Sequence, residues 1–279
     1  MTVSEYKKKF IQELSPIYGQ EETLSLYYWA MSEKGFSKTD LILKENEEFV
    51  KEIENDLLAI INQLIAQKPL QYIFEKAYFF GYEFKVSPAT LIPRTETEEL
   101  VEWILQILRS QPHKKWKILD IGTGSGCIPI TLKKEFPNAT IHTIDISAEA
   151  IAIAKENAQH LQADIHFIHQ DILQTETLET YDLIVSNPPY VRELEKAEIQ
   201  KNVLEYEPHL ALFVSNKDPL IFYRKITQLA SKYLAENGYL FFEINQYLGK
   251  ETVEMIQNYF SAIELRKDLK GNERMVKVY

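Results

Sequence analysis

The chain has 279 residues, one cysteine, 31 lysines and arginines against 41 acids, and a formal net charge of −10. This length, with 45% apolar residues, supports one large domain, or a medium and a small one, around a real core. The acidic balance disfavours a surface built to neutralise nucleic-acid phosphates, and the lone Cys127 excludes an internal disulfide and points to a reducing compartment.

The start, MTVSEYKKKFIQEL, has no apolar signal core, and no apolar run approaches membrane-spanning length, so a cytoplasmic protein without a membrane partner is expected. Residues 1 to 75 are predicted to be helical throughout. Tyr6, Phe10, Ile11 and Leu14 form one stripe; Leu24, Tyr27, Tyr28 and Met31 form another; Phe49, Ile53, Leu57, Ile60, Ile61 and Leu64 line a longer helix. Such aromatic stripes are the core of a small bundle rather than a ligand box. Ser37 or Thr39 could cap a short third helix, and Lys68-Pro69 is expected to end the long one.

Residues 76 to 93, rich in aromatic and β-branched types and punctuated by Gly81 and Pro88, predict a β-hairpin linker. The remainder, 94 to 279, forms a second domain. A helix from about Thr95 carries Leu100, Val101, Ile104, Leu105 and Leu108 on one side. Strands are predicted at 117–121, 140–146, 165–169, 181–186, 239–244, 263–266 and 275–278, with helices at 127–136, 147–160, 219–236 and 252–259. This alternation defines an α/β fold with a mostly parallel sheet covered on both faces, and a ligand beyond the strands' carboxyl ends.

The first of these strands runs into KILDIGTGSGCI, with glycines at 122, 124 and 126 and a helix immediately after. Glycines there allow a tight turn and let a ligand lie against bare backbone at a helix N-terminus. Cys127 reads as a small buried residue of that segment. Asp120 would repel a pyrophosphate but attract an amino group and a sulfonium, as in S-adenosyl-L-methionine. Asp145, followed by Ile146, ends the second strand, where an acid can take both ribose hydroxyls. Asp171 follows the third and is placed to meet an adenine edge, with Ile172 as an apolar wall. Any one of these aspartates could be a solvated strand-end acid or a helix cap; three at successive strand ends beside a glycine loop describe a nucleoside site.

Asn187, Pro188, Pro189 and Tyr190 end the fourth strand, since proline cannot continue a central ladder. An amide or aromatic-amine nitrogen is a poor nucleophile because its lone pair is delocalised. Acceptors on its N–H groups, the Asn187 side-chain oxygen and the Pro188 carbonyl, would orient it and stabilise developing positive charge. Tyr190 would stack on the flat substrate group. Together DIGTGSG, Asp145, Asp171 and NPPY resemble class I methyltransferases acting on planar nitrogens.

KPLQYI, LIPRTETEELVE, YEPHLAL and KDLKGNERMV extend that resemblance over almost the whole chain, to the HemK-type family of peptide chain release factor N5-glutamine methyltransferases. The resemblance implies a Rossmann-like, seven-stranded catalytic domain and an N-terminal helical substrate-recognition domain joined by a hairpin. It also implies S-adenosyl-L-methionine as cofactor and the glutamine of the release factor's Gly-Gly-Gln motif as methyl acceptor. Carried over by position, Gly122, Thr123, Gly124, Ser125, Gly126, Asp145, Ile172 and Asn187 would touch the cofactor; with Asp120, Ile146 and Asp171 from the reading above they make up the candidate cofactor site. Asn187, Pro188, Pro189 and Tyr190 would hold the glutamine, with Asn187, Pro188 and Tyr190 catalytic.

Two features depart from the family pattern: Ile172 stands where some members have tryptophan, and FVSNKDPL after Leu212 lacks a glycine pair. Arg94, Thr97 and Glu98 match a family signature but read equally as a helix start tied to the linker. A glutamine methyltransferase acting on a ribosomal protein would share every catalytic residue. A nucleic-acid adenine N6-methyltransferase would use the same NPPY chemistry on a flipped base, against the acidic charge. A nucleotide-binding module without catalysis is the third alternative, against which intact Asn187 and Tyr190 count. His166 and His169, three apart on a strand, face opposite ways, so no metal site is expected. A monomer, without direct nucleic-acid binding, meeting its protein substrate through the cleft between domains, completes the expectation.

Overall fold

Thr2 opens the first helix with a capping box: its side chain accepts from the Glu5 N–H while the Glu5 carboxylate accepts from the Thr2 N–H. The computed structural model describes residues 1–279. Its first unit, Met1–Lys76, contains α1 (Val3–Tyr18), α2 (Gln20–Glu33), α3 (Lys38–Leu43), α4 (Lys51–Ile65) and α5 (Leu70–Phe74). Ser37, not Thr39, caps α3. The long helix stops before Lys68-Pro69, because Gln67 already lies in the left-handed region at φ 60°. Tyr6, Phe10, Leu14, Tyr27, Met31, Leu57, Ile60, Ile61 and Leu64 make the bundle's core, and the Tyr6 hydroxyl donates to the Leu57 carbonyl at 3.1 Å.

The second unit is Ala77–Tyr279. A hairpin, β1 (Lys76–Phe79) and β2 (Tyr82–Lys85), turns through Phe80 and Gly81, both with positive φ as a two-residue turn demands. Then come α6 (Thr95–Ser110), β3 (Lys117–Ile121), α7 (Cys127–Glu135), β4 (Thr140–Asp145), α8 (Ala148–His160) and β5 (His166–His169). After a 3₁₀ turn at Ile172–Gln174 follow β6 (Tyr181–Ser186), β7 (Val191–Arg192), a 3₁₀ segment (Glu193–Glu198), α9 (Lys201–Tyr206), α10 (His209–Leu212) and β8 (Phe213–Val214). The chain ends with α11 (Ile221–Tyr233), β9 (Leu234–Glu243), α12 (Gly249–Ile256), β10 (Ile263–Lys267) and β11 (Glu273–Val278).

Seven strands form one sheet in the order β10-β11-β9-β6-β3-β4-β5, and β11 is antiparallel to both of its neighbours while the other pairings are parallel. The chain builds β3, β4 and β5 to one side, then crosses to lay β6 on the other side of β3. That reversal opens a crevice beyond the carboxyl ends of β3 and β6. Neighbouring residues feed opposite faces: Ile118, Leu183 and Phe241 pack with α6 and α7 residues, whereas Leu119, Ile184 and Phe242 pack with α11 and α12 residues. With both faces covered, the central strands read as continuous apolar runs.

Several boundaries differ from expectation. The predicted helix 219–236 ends at Tyr233, and β9 starts at Leu234 rather than 239 because Leu234 pairs with Tyr181 before residues 235–238 loop out of the ladder. Asn237, at φ 58°, makes that turn possible. Helix α12 runs from 249 to 256 instead of 252 to 259. The segment 191–219, to which the sequence assigned no conformation, holds a 3₁₀ segment, two short helices and the small β7–β8 pair.

Candidate active site

The chain leaves β3 through three glycines with φ of 90°, 53° and 83° at positions 122, 124 and 126, a region L side chains avoid. The loop is stitched to its neighbours. Gly122 N–H donates to the Ile144 carbonyl at 2.8 Å, and Gly124 N–H donates to Asp145 Oδ2 at 2.9 Å. The other Asp145 oxygen accepts from Ser147 N–H at 2.9 Å, so one carboxylate bridges the loop and the start of α8. Burial raises the Asp145 pKa, and these backbone donors oppose the rise.

A cavity of about 460 Å³ opens over this loop at the switch point. Gly122, Thr123, Gly124, Ser125, Asp145, Ile146, Asp171, Ile172, Asn187, Pro188 and Pro189 all line it. Thus eleven side chains or glycines drawn from four strand ends meet at one place. Arg94, Thr97, Pro208 and Leu210 close its far wall. There the buried Glu207 carboxylate accepts from Arg94 Nη2 at 2.5 Å and from the Ile92 N–H at 3.2 Å, joining the linker to the segment before α10.

Three expected site residues lie elsewhere. Asp120 is fully buried on the Ile118 face of β3, because strand alternation points it away from Ile121, which lines the cavity. Its Oδ2 accepts from Thr143 Oγ1 at 2.6 Å, Thr143 pairs with Thr123 Oγ1, and Oδ1 has no partner. Burial, reinforced by the Asp145 charge, pushes its pKa up to about 7. Gly126 is absent from the lining because it faces protein: a Cβ there would lie 2.7 Å from Ile130 Cδ1 and 3.2 Å from Ala154 Cβ. Its role is the close packing of α7 and α8. Tyr190 does not line the cavity; its ring packs against the core on the Leu119 face of the sheet, and its hydroxyl donates to Glu243 Oε1 at 3.0 Å.

The remainder of NPPY is held with its acceptors free. Ser186 Oγ donates to the Ile121 carbonyl at 2.7 Å, pinning the end of β6 to the end of β3. Asn187 Nδ2 donates to Thr97 Oγ1 at 3.2 Å, and Thr97 Oγ1 donates to Glu243 Oε2 at 2.6 Å. Asn245 Nδ2 donates to the Tyr190 carbonyl at 2.9 Å and to the Glu195 carboxylate. No group in the chain donates to Asn187 Oδ1 or to the Pro188 carbonyl. Glu243 and Asn245, at the end of β9, were not singled out from the sequence. A buried acid ending the apolar run YLFFEIN was the available signal.

Cys127 touches the cavity, but burial pushes its thiol up to about 12, which makes it a wall and not a nucleophile. His166 and His169 stand at opposite ends of β5; His169 Nε2 meets the Ile146 carbonyl at 2.8 Å, and the His166 ring lies 4.8 Å from that of His142.

A parallel sheet reversing at β3, a glycine loop and an acid at the next strand end define a class I S-adenosylmethionine-dependent methyltransferase. A methyltransferase from Pyrococcus furiosus shares that fold, aligning with 82% of this chain and 98% of its own at a TM-score of 0.52 and 15% identity. The family model described as "Methyltransferase small domain" matches residues 97–210. The release factor glutamine methyltransferase of Flavobacterium psychrophilum is 51% identical over 100% of this chain and 99% of its own length. That of Bacteroides thetaiotaomicron is 41% identical over 95% of each chain. The chain belongs to the release factor glutamine methyltransferase family.

The residues present fit S-adenosyl-L-methionine. Gly122 and Gly124 leave the loop without Cβ atoms on the cavity side, and nothing lies within 4 Å of where a Gly124 Cβ would be. Ile146, Ile172 and Leu173 supply apolar walls for a base, and Asp145 and Asp171 supply acceptors.

Proposed function

We propose that this chain methylates the side-chain amide nitrogen (N5) of the glutamine in the Gly-Gly-Gln motif of peptide chain release factors. The observation that carries the reading is the pair of unengaged acceptors, Asn187 Oδ1 and the Pro188 carbonyl, on a cavity that fits the methyl donor. A primary amide has two N–H groups, and two rigid acceptors match it.

Bound S-adenosyl-L-methionine supplies a methyl group on a positively charged sulfur. The protein's part is to make the amide nitrogen reactive. Accepting both N–H bonds orients the nitrogen toward the methyl group and stabilises the positive charge that grows on it. Pro188 and Pro189 fix the acceptor geometry, so little reorganisation accompanies the reaction. Ser186 and Gly122 hold the two strand ends together; a Cβ on Gly122 would come 3.6 Å from the Asn187 carbonyl, so the loop and NPPY are packed in contact. No strong base is required, because the nitrogen becomes acidic once alkylated.

Asp145 and Asp171 are assigned to the ribose and the base. Asp120 is assigned to holding the loop from below, through Thr143 and Thr123. Residues 1–75 are assigned to substrate recognition, 76–93 to linkage and 94–279 to catalysis, in a cytoplasmic monomer. No helix is long and apolar enough to cross a membrane.

The test is transfer of labelled methyl to purified release factor, with a Gly-Gly-Ala variant of the motif as control. Labelling of the first alone is expected. Labelling of a ribosomal protein or a nucleic acid, with none on the release factor, would refute the substrate.

A further inference from the structure

The side-chain amide of Asn187 can lie in two orientations that differ by exchanging its oxygen and nitrogen. Only one of them offers an acceptor to a substrate N–H; the other presents an N–H against an N–H. What selects between them is outside NPPY, and the hydrogen-bond chain behind Asn187 identifies it.

Glu243 is buried at the end of β9 and its oxygens accept from two hydroxyls, Thr97 at 2.6 Å and Tyr190 at 3.0 Å. Burial raises the Glu243 pKa and the Thr97 and Tyr190 hydroxyls oppose the rise; with both of its oxygens accepting, it stands as a carboxylate and takes the one proton of the threonine hydroxyl. Thr97 Oγ1 therefore faces Asn187 as an acceptor only. Asn187 satisfies it with Nδ2 at 3.2 Å, which leaves Oδ1 on the cavity side. In the reversed amide, Oδ1 would confront an oxygen with no proton to share, in a place where Thr97 is buried. Leaving such a pair unsatisfied disfavours that orientation by roughly ten- to a hundredfold.

We infer that Thr97, polarised by Glu243, is a positioning residue that fixes the Asn187 amide with its oxygen toward the substrate. This rests on the assignment of Asn187 Oδ1 as an acceptor for the glutamine amide. Thr97 acts through Asn187 and Glu243 acts through Thr97. Tyr190 completes the arrangement by holding the second oxygen of Glu243, which gives the last letter of NPPY a task behind the site. The arrangement ties α6 and the end of β6, whose Thr97 and Asn187 line the cavity, to the end of β9 behind them.

The experiment compares Thr97→Val, Thr97→Ser and Asn187→Ala in the full chain, and the Thr97→Val/Asn187→Ala pair. Thr97→Val should lower kcat by on the order of tenfold with unchanged cofactor affinity, and Thr97→Ser should restore it. In the Asn187→Ala background, Thr97→Val should have no further effect, because its route to the substrate is gone. A thermal melt checks the fold, and Thr97→Ala serves if valine disturbs the site. Side-chain amide NMR with ¹⁵N-asparagine labelling, with the Asn187 signal assigned by its loss in Asn187→Ala, reads the orientation without catalysis. One Asn187 amide proton should be protected from exchange in the wild type and in Thr97→Ser, and not in Thr97→Val.

Unchanged kcat and unchanged amide protection in Thr97→Val would overturn the inference, as would an equal loss in the Asn187→Ala background. If Asn187→Ala itself turns over like the wild type, the acceptor assignment fails instead, whatever Thr97 does.

Discussion

Gly124 and Gly126 stand two residues apart in the same loop, yet alanine should do different things at each. At Gly126 the backbone is left-handed at φ 83°, which costs a side-chain-bearing residue roughly 1–2 kcal/mol. The added methyl would also lie 2.7 Å from Ile130 Cδ1 and 3.2 Å from Ala154 Cβ, and overpacking of this kind costs about 1–3 kcal/mol. The Gly126→Ala loss is therefore roughly 2–5 kcal/mol, a lowering of the melting temperature by about 5–15 °C for a unit of this size. At Gly124, φ is 53° and a Cβ meets nothing within 4 Å, so only the backbone strain of roughly 1–2 kcal/mol applies. That methyl, however, would project from a residue lining the cavity. Thermal melting and calorimetric titration with S-adenosyl-L-methionine separate the two effects: Gly126→Ala should show the larger fall in melting temperature and bind nearly normally once folded, whereas Gly124→Ala should show the smaller fall and bind weakly. A Gly126→Ala protein with normal stability and lost affinity would show that Gly126 touches the ligand, and the packing argument would be wrong.

Four further outcomes are expected. Asn187→Ala should keep the fold and most cofactor binding while losing about 10²–10³ in kcat, the usual effect of removing one preorganised partner of developing charge; methyl transfer at the wild-type rate would rule out the assigned mechanism. Asp145→Ala should weaken cofactor binding first, because it removes the carboxylate that holds Gly124 and lines the cavity; calorimetry showing unaltered affinity would count against the ribose assignment. Tyr190→Phe should leave Glu243 Oε1 without its donor and cost about 1–3 kcal/mol of stability, read by denaturant unfolding. Asp120, whose folded pKa near 7 lies above its ordinary 3.8, keeps a proton that the unfolded chain releases, so its contribution to stability is present below pH 4 and is lost as pH rises toward 7. Asp120→Asn should remove that decline, worth roughly 4 kcal/mol by the size of the shift, and an unchanged stability-against-pH curve would show that the carboxyl titrates normally.

The parts of this molecule that depend on short stretches of chain were legible from the sequence. β3 and β6 follow from apolar runs closed by a glycine loop and by two prolines, and the Ser147 cap of α8 follows from its hydroxyl. The cavity's glycines and the two acids that line it follow from their places at strand ends. What was hidden depends on long separations. Thr97 and Glu243 are 146 positions apart, and nothing in RTETEEL or YLFFEIN announces that one will meet the other. Tyr190 invited the stacking role given to any aromatic beside a planar substrate, whereas Glu243 and the core behind it decide where its ring goes. Asp120 looked like a partner for a cation because it precedes a glycine loop, but the side a residue faces on a strand is set by alternation, and its neighbour Ile121 holds the cavity side. The early start of β9 depends on a pairing with Tyr181 that helical periodicity through Leu229 conceals.

The segment from Arg192 to Glu207 has a buried anchor at each end. At one end Glu195 is gripped by Arg192 and Asn245; at the other Glu207 is gripped by Arg94 and the Ile92 N–H. The stretch between, Lys196 to Tyr206, has no buried residue. Its exposed side chains therefore reach the cavity walls chiefly through those two anchors and the Leu204–His209 contact. Charge changes on these exposed residues should leave the chemistry intact while altering the surface that the catalytic unit offers to another protein.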